Sequence, residues 1–204
     1  APHPIYPLLR ERILVLDGAM GTMIQDHGLG EDDFRGHLFR EHDRPLMGNN
    51  DLLCLTQPEI ILDIHRTYLE AGADLIETNT FNANAISMAD YAMEDQVYDI
   101  NVAAARLARQ AIADHHGAGG ASGFVVGSMG PTNKTASMSS DINEPGLRGV
   151  GWDELVSAYS EQARGLIDGG ADILMVETVF DTLNAKAALF ALNGLTQKHP
   201  VPVM

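Results

Sequence analysis

The chain has 204 residues, 45% of them hydrophobic, which suffices for the core of one domain, and we assign residues 1–204 to a single domain. Its 28 acidic and 13 basic residues give a formal net charge of -15, which would repel the phosphates of nucleic acids and anionic membrane surfaces. We therefore expect neither nucleic acid nor a membrane as a partner.

The N-terminal segment and the cysteine count indicate the compartment. Residues 1–12 contain three prolines and carry their arginines late, unlike the basic start of a secretory signal, and no later apolar stretch is long enough to span a membrane. Cys54 is the single cysteine, so the chain cannot form an internal disulfide. We expect a cytoplasmic protein.

Short apolar runs alternate with longer segments of helical periodicity, which is typical of βα units around a parallel sheet. Helices are predicted from a capping box at 56–59 to near Gly72, over 94–115 and 152–167, and from about Thr182. The polar stretch 28–50 is predicted to be a loop or short-helix excursion. The predicted strands are 13–16, 75–78, 124–127, 173–176 and 201–204.

Two segments, 71–78 and 170–178, share one order of residues. In each, a glycine ends a helix, an aspartate precedes an apolar strand, and Glu-Thr closes that strand. This similarity between the two segments indicates a barrel built by repetition of βα units.

Polar and glycine-rich residues follow four of the predicted strands, at the edge where a parallel barrel carries its chemistry. In the first of these stretches, Asp17 precedes glycines that would let backbone N–H groups approach an anion closely at a helix start. The four stretches are 17–22, 77–81, 127–134 and 177–181.

An α-amino acid requires acidic side chains for its ammonium group and backbone N–H groups for its carboxylate. Asp17 and Glu177 are the natural pair for the ammonium group. Spacing alone leaves an alternative open, because an acidic residue at a strand end can also cap the next helix or pair with an arginine.

Six strings of residues resemble the homocysteine S-methyltransferase family and, within it, the cobalamin-dependent methionine synthases. They occur in the order found in those enzymes and cover nearly the whole chain. The stretches 48–51 and 130–133 separate them from the related betaine and S-methylmethionine enzymes. The strings are LDGAMGT at 16–22, DFRG at 33–36, GNNDLL at 48–53, ETNTFN at 77–82, GSMGPTN at 127–133 and VETVFD at 176–181.

The resemblance implies an α/β fold, namely a partial (β/α)8 TIM barrel with about the first five strands and four helices, that binds homocysteine. In such enzymes methylcobalamin on another module, recharged by 5-methyltetrahydrofolate on a folate-binding module, methylates a zinc-activated homocysteine thiolate to give methionine. The substrate-binding residues that the resemblance implies are Asp17, Gly18, Ala19, Met20, Asn79, Thr80, Ser128 and Glu177.

The chain departs from the family at the zinc site. The family's three zinc-binding cysteines are absent, and Cys54 lies in a region without ligand function, where a small buried hydrophobic residue is expected. We therefore expect no zinc or cobalamin on this chain, no catalytic residue, and no activity of the chain alone. Five strands would also leave two open sheet edges, which is the basis for a hypothesis of self-association.

Two other functions remain open. A barrel enzyme with a Schiff-base lysine would use Lys134, the lysine in a strand-end loop, although nothing near it in sequence would activate it. A non-catalytic binding or scaffold module agrees with the missing cysteines, but it leaves the polar strand ends unexplained.

Overall fold

An open parallel sheet of three strands lies at the centre of the molecule. The computed structural model describes residues 3–117, 123–139, 141–197 and 199–204. The strands are β1 (Leu75–Glu77), β2 (Phe124–Met129) and β3 (Ile173–Val176), and they lie in the order β1-β2-β3. Leu75 pairs with Phe124, and Val126 pairs with Ile173. The α/β class and the parallel sheet are confirmed; the described strands form an open sheet, and the partial (β/α)8 barrel stays a prediction.

The first and last predicted strands are single bridges instead of strands. Leu16 pairs with Leu75 at one edge of the sheet, and Val203 pairs with Leu174 at the other. Each segment has a neighbouring strand on one side only, so few backbone hydrogen bonds fix it. Ile13, with 87% of its surface exposed, illustrates how little of the outer edge is covered.

Nine helices are described, and the four longest ones agree with the periodicity of the sequence to within a few residues. Within the described residues, no helix combines the length and the apolar character needed to cross a bilayer. The helices are α1 (Ile5–Glu11), α2 (Met20–Gln25), α3 (Glu31–Arg35), α4 (Leu53–Thr56), α5 (Pro58–Glu70), α6 (Ala85–Met88), α7 (Val97–His116), α8 (Trp152–Gly169) and α9 (Thr182–Thr196).

The predicted capping box at 56–59 is wrong. Thr56 is the last residue of α4 rather than the N-cap of α5, and its hydroxyl donates to the carbonyl of Leu52 at 3.4 Å. Gln57 occupies the N-cap position without a side-chain hydrogen bond, and Pro58 takes the first helical position as expected.

The polar excursion 28–50 contains α3 and is organised by one guanidinium group. Arg35 pairs with Glu31 at 2.6 Å and donates to the carbonyl oxygens of His42 and Arg44. Because one side chain holds several backbone oxygens, this stretch keeps a defined path without strands or long helices of its own.

The two segments with the same order of residues, 71–78 and 170–178, also have the same local structure. Gly72 and Gly170 both end a helix with φ near +100° (102° and 101°), a conformation that side chains with a Cβ disfavour. Asp74 donates its N–H to the carbonyl of Val15 and accepts the N–H of the same residue with its carboxylate. Asp172 does the same with Val125. In each unit, therefore, the aspartate clamps the segment that precedes its own strand in the sheet.

The sheet is buried on both faces. Alternate residues such as Ile76 and Leu174 face the core formed with the long helices, while Val126 and Ile173 face a smaller cluster that includes Ile5 of α1. This arrangement leaves the carboxyl ends of the strands, rather than a sheet face, open to a ligand.

Candidate functional site

A cavity of about 350 Å³ lies at the carboxyl ends of the strands. It brings together all eight residues proposed from the sequence, which come from four separate stretches of the chain. No basic side chain of the described residues lines it. The lining residues are Asp17, Gly18, Ala19, Met20, Gly21, Glu77, Thr78, Asn79, Thr80, Phe81, Ser128 and Glu177.

Asp17 is positioned by the first edge of the sheet. Its N–H donates to the carbonyl of Leu75 at 2.9 Å, and its Oδ1 accepts the N–H of Glu77 at 3.0 Å. The carboxylate therefore belongs to the strand-end hydrogen bonding and also faces the cavity. It does not serve as the helix cap that the sequence left open, because the N-cap residue of α2 is Ala19.

Glu177 is positioned at the end of β3. Its N–H donates to the carbonyl of Met129 at 3.1 Å, and Ser128 Oγ donates to its Oε1 at 2.5 Å. Thr178, the next residue, has φ of 54°, which is rare for a residue with a branched Cβ and turns the chain sharply away from the strand. Ser128 thus orients one oxygen of the carboxylate.

Glu77 is a third carboxyl group in the same cavity, and the sequence did not assign it a role in binding. Burial, followed by the nearby charges of Glu177 and Asp17, raises the pKa of Glu77 to about 8. Burial, with a smaller contribution from Glu177, raises the pKa of Asp17 to about 7. The described lining of the cavity is therefore acidic, with three carboxyl groups and no basic side chain. The sequence did contain one signal for Glu77: the similarity of segments 71–78 and 170–178 places Glu77 at the same strand-end position as Glu177.

Asn79 and Thr80 form the floor of the cavity. Asn79 Nδ2 donates to the carbonyl of Asn50 at 2.7 Å, which ties the floor to the polar excursion. Thr80 is fully buried, and its Oγ1 donates to the carbonyl of Ser128 at 2.7 Å. Since that bond uses the one hydroxyl proton of Thr80, the 2.6 Å contact with Thr78 has Thr78 as its donor. The side chain of Thr80 thus shapes the site from below.

The turn of Gly18, Ala19 and Met20 leads into α2 at the rim. Gly18 and Ala19 are exposed, and the Tyr68 hydroxyl donates to the carbonyl of Ala19 at 3.3 Å. The first N–H groups of a helix have no acceptor within the helix, so those of this turn are available to a ligand. The rim thus offers hydrogen-bond donors close to the carboxyl groups of the floor and walls.

The described residues do not supply a zinc site. No group of three His, Cys, Asp or Glu side chains among them is placed to hold a metal ion. Cys54 lies below the cavity with 3% of its surface exposed, and burial raises the pKa of its thiol far above its usual value. A structural or catalytic zinc site takes at least three protein ligands, and this one buried thiol has no such partners among the described residues. Lys134, considered for a Schiff base, does not line the strand-end cavity.

Comparison with known proteins gives a family and a fold. The model of the homocysteine S-methyltransferase family matches residues 14–204. Structures of the homocysteine methyltransferase MmuM from Escherichia coli are similar: the oxidised form with a TM-score of 0.70 at 23% identity, and the metallated form with 0.68 at 25%. The matches cover 98% of this chain and 63% and 64% of those chains, so the chain spans less than two thirds of their length.

Proposed function

This chain belongs to the homocysteine S-methyltransferase family, and on that premise we propose that its strand-end cavity binds homocysteine. The observation that carries the proposal is the set of three carboxyl groups, Asp17, Glu77 and Glu177, in one cavity whose described lining includes no basic residue. An ammonium group is the complement that this set lacks, because it adds a positive charge and three hydrogen-bond donors.

The proposed pose follows from the positions of the donors and acceptors. Asp17 and Glu177 accept from the ammonium group, and the N–H groups of Gly18, Ala19 and Met20 donate to the carboxylate of the amino acid. Asn79, Thr80 and Ser128 shape the floor and hold the acceptors in place. The side chain of the bound amino acid would then extend into the remaining volume of the cavity.

We further infer a place for the chain within this family. The strings at 48–53 and 127–133 favour a cobalamin-dependent methionine synthase, with the chain as the N-terminal part of a (β/α)8 barrel. The methyl donor would be methylcobalamin on another module, recharged by 5-methyltetrahydrofolate on a folate-binding module. The likeness to barrel-forming methyltransferase structures over 98% of the chain supports the fold.

The residues of this chain do not fit the zinc ion that the family implies. Zinc would lower the pKa of the homocysteine thiol, but the described residues offer no three-ligand group, and Cys54 is buried away from the cavity lining. The chemistry that we propose for this chain is therefore recognition of the amino acid, without activation of its sulfur. We expect the chain alone not to transfer a methyl group.

Isothermal titration calorimetry with L-homocysteine tests the proposal. We expect Asp17→Asn and Glu177→Gln each to weaken binding by about 10-fold or more, because a hydrogen bond to a charged group contributes roughly 1.5–3 kcal/mol. Both replacements keep the shape of the side chain and the acceptor oxygen that the fold uses. An analogue of homocysteine without the ammonium group should bind the wild type about 10-fold or more weakly than homocysteine does. It should bind Asp17→Asn and Glu177→Gln about as weakly as it binds the wild type.

Asp95→Asn is the matched control, because Asp95 is an exposed carboxylate outside the cavity lining. It should bind homocysteine like the wild type. If the wild-type chain, folded by circular dichroism, shows no heat of binding with homocysteine, the site proposal is wrong and a non-catalytic scaffold module becomes the better description.

A further inference from the structure

A second polar cavity, of about 180 Å³, lies beside the strand-end cavity. The linings of the two cavities are linked by adjacent residues. The carbonyl of Asn50 accepts from Asn79, which lines the first cavity, and the next residue, Asp51, lines the second. Residues of both family-distinguishing stretches, 48–51 and 130–133, line this second cavity. Recognition of homocysteine assigns no role to it.

The local backbone buries a carboxylate in this cavity. Gly48, with φ of 95°, turns the chain into a short 3-10 helix (Asn50–Leu52), which places Asp51 inside the molecule with 4% of its surface exposed. Asp51 Oδ1 accepts the N–H of Asn82 at 3.1 Å. Burial raises the pKa of Asp51 to about 7, as expected for a buried carboxylate without a cationic partner.

Two buried oxygen atoms in the same lining have no hydrogen-bond partner among the described residues, namely Asn49 Oδ1 and Ser87 Oγ. Their side chains are 2% and 7% exposed. The Asn49 amide donates its nitrogen to Met88 Sδ, 3.3 Å away, so its oxygen is the group left without a partner among the described residues. An unmatched buried polar atom costs roughly 1–3 kcal/mol, so two in one lining favour a bound partner such as a cation or a water.

The side chains that line the cavity indicate the charge and the chemical type of the ligand that fits it. Asp90 adds a second carboxylate at the rim, where it accepts from Asn133 at 2.7 Å, and the described lining residues include no lysine, arginine or histidine. The available atoms are carboxylate, amide and hydroxyl oxygens. Hard cations such as Ca²⁺ take ligands of this type and complete their shell with water, whereas zinc and copper favour nitrogen and sulfur.

We propose that this cavity is a binding site for a hard divalent cation of the Ca²⁺ class, held by oxygens of Asn49, Asp51 and Ser87. Asp90 at the rim adds a second negative charge. The cavity has room for waters to fill the remaining coordination positions, since a water occupies about 30 Å³. With two carboxylates instead of the larger sets of high-affinity sites, the dissociation constant should lie at about 10⁻⁴–10⁻³ M.

Thermal unfolding of the chain with CaCl₂, MgCl₂, KCl or a chelator tests the proposal. We expect Ca²⁺ at about ten times its dissociation constant to raise the unfolding midpoint by a few degrees, and KCl at equal ionic strength to leave it unchanged. Asp51→Asn should abolish the shift, whereas Asp95→Asn should keep it. Absence of a Ca²⁺-dependent shift in the wild type, or an equal shift in Asp51→Asn, would overturn the proposal.

Asn49→Asp is a second variant that does not depend on removing a buried group. It places a carboxylate where the unpaired amide oxygen lies, so it should lower the Ca²⁺ dissociation constant about 10-fold, because affinity rises with ligand charge. If the cavity only holds structural water, the new buried charge should destabilise the chain with no gain in Ca²⁺ affinity, and the proposal is then wrong.

Discussion

At the scale of single residues, the acidic cavity creates a conflict between folding and ionisation. Asp17 and Glu77 keep their protons in the folded chain at pH values where the unfolded chain has released them, because burial raises their pKa values to about 7 and about 8. Between the unfolded and folded pKa values, the unfolded state therefore binds fewer protons. For these two groups, the free energy of unfolding falls as the pH rises through that interval.

We predict that Glu77→Gln flattens this part of the pH dependence. Urea unfolding from about pH 5 to about pH 8 should show a smaller loss of stability with pH in the variant than in the wild type, since glutamine has no proton to lose. Asp95→Asn should follow the wild-type curve. Equal slopes for Glu77→Gln and the wild type would show that the cavity does not hold the proton of Glu77.

Much of the candidate site follows from sequence, because residues at strand ends meet wherever parallel strands lie side by side. The residues proposed from Asp17 to Glu177 all line one cavity, although their roles in binding stay a prediction. The role of Glu77 could not be read from spacing. Its importance comes from burial and from two neighbouring carboxylates, which are properties of the folded chain.

At the scale of elements, the contact of α7 with α8 depends on two glycines. A Cβ on Gly165 would lie 2.8 Å from Asn101 Cβ, and a Cβ on Gly169 would lie 2.6 Å from the carbonyl oxygen of Val102. Both distances are shorter than carbon atoms tolerate. The helices therefore approach so closely that only a hydrogen fits between them at these positions.

We predict that Gly165→Ala and Gly169→Ala destabilise the chain by about 1–3 kcal/mol each, because the helices must move apart. Gly194→Ala in α9 is the matched control, since no atom lies within 4 Å of its added Cβ. There the better helix propensity of alanine should stabilise by up to about 1 kcal/mol. Urea unfolding measures all three; the same sign for Gly169→Ala and Gly194→Ala would contradict the packing argument.

The elements themselves were predictable where the sequence is strongly periodic. The start of α8 at Trp152 and the bounds of β3 agree with the pattern of apolar residues. The pattern fails at Thr56, which ends α4 and therefore does not occupy the N-cap position of α5. It also fails at 13–16, where apolar composition indicates a strand but a partner is present on one side only.

At the scale of the whole molecule, exposed apolar residues and a large negative charge oppose each other. Val15 and Val203, at opposite edges of the sheet, are 53% and 41% exposed. Uncovered sheet edges favour association with another chain. The net charge of -15 opposes the approach of a second copy, and this repulsion weakens as salt screens it.

We predict concentration-dependent self-association that increases with salt. Light scattering over a range of protein concentrations should give a mass above that of the monomer sooner at high ionic strength than at low ionic strength. Val15→Lys, which places a positive charge on an exposed edge, should reduce the effect. Leu38→Lys, at an exposed residue beside α7 and outside the sheet, should not. A monomeric mass under all conditions would refute the prediction.

The aspartate clamps have a consequence for synthesis on the ribosome. Asp74 and Asp172 each form hydrogen bonds with the N–H and the carbonyl of a valine that precedes them in the chain. Both partners in each clamp are therefore made before or together with the aspartate. Each clamp therefore needs no residue that is synthesised after its own aspartate. The order of the strands in the sheet is also the order in which they are synthesised.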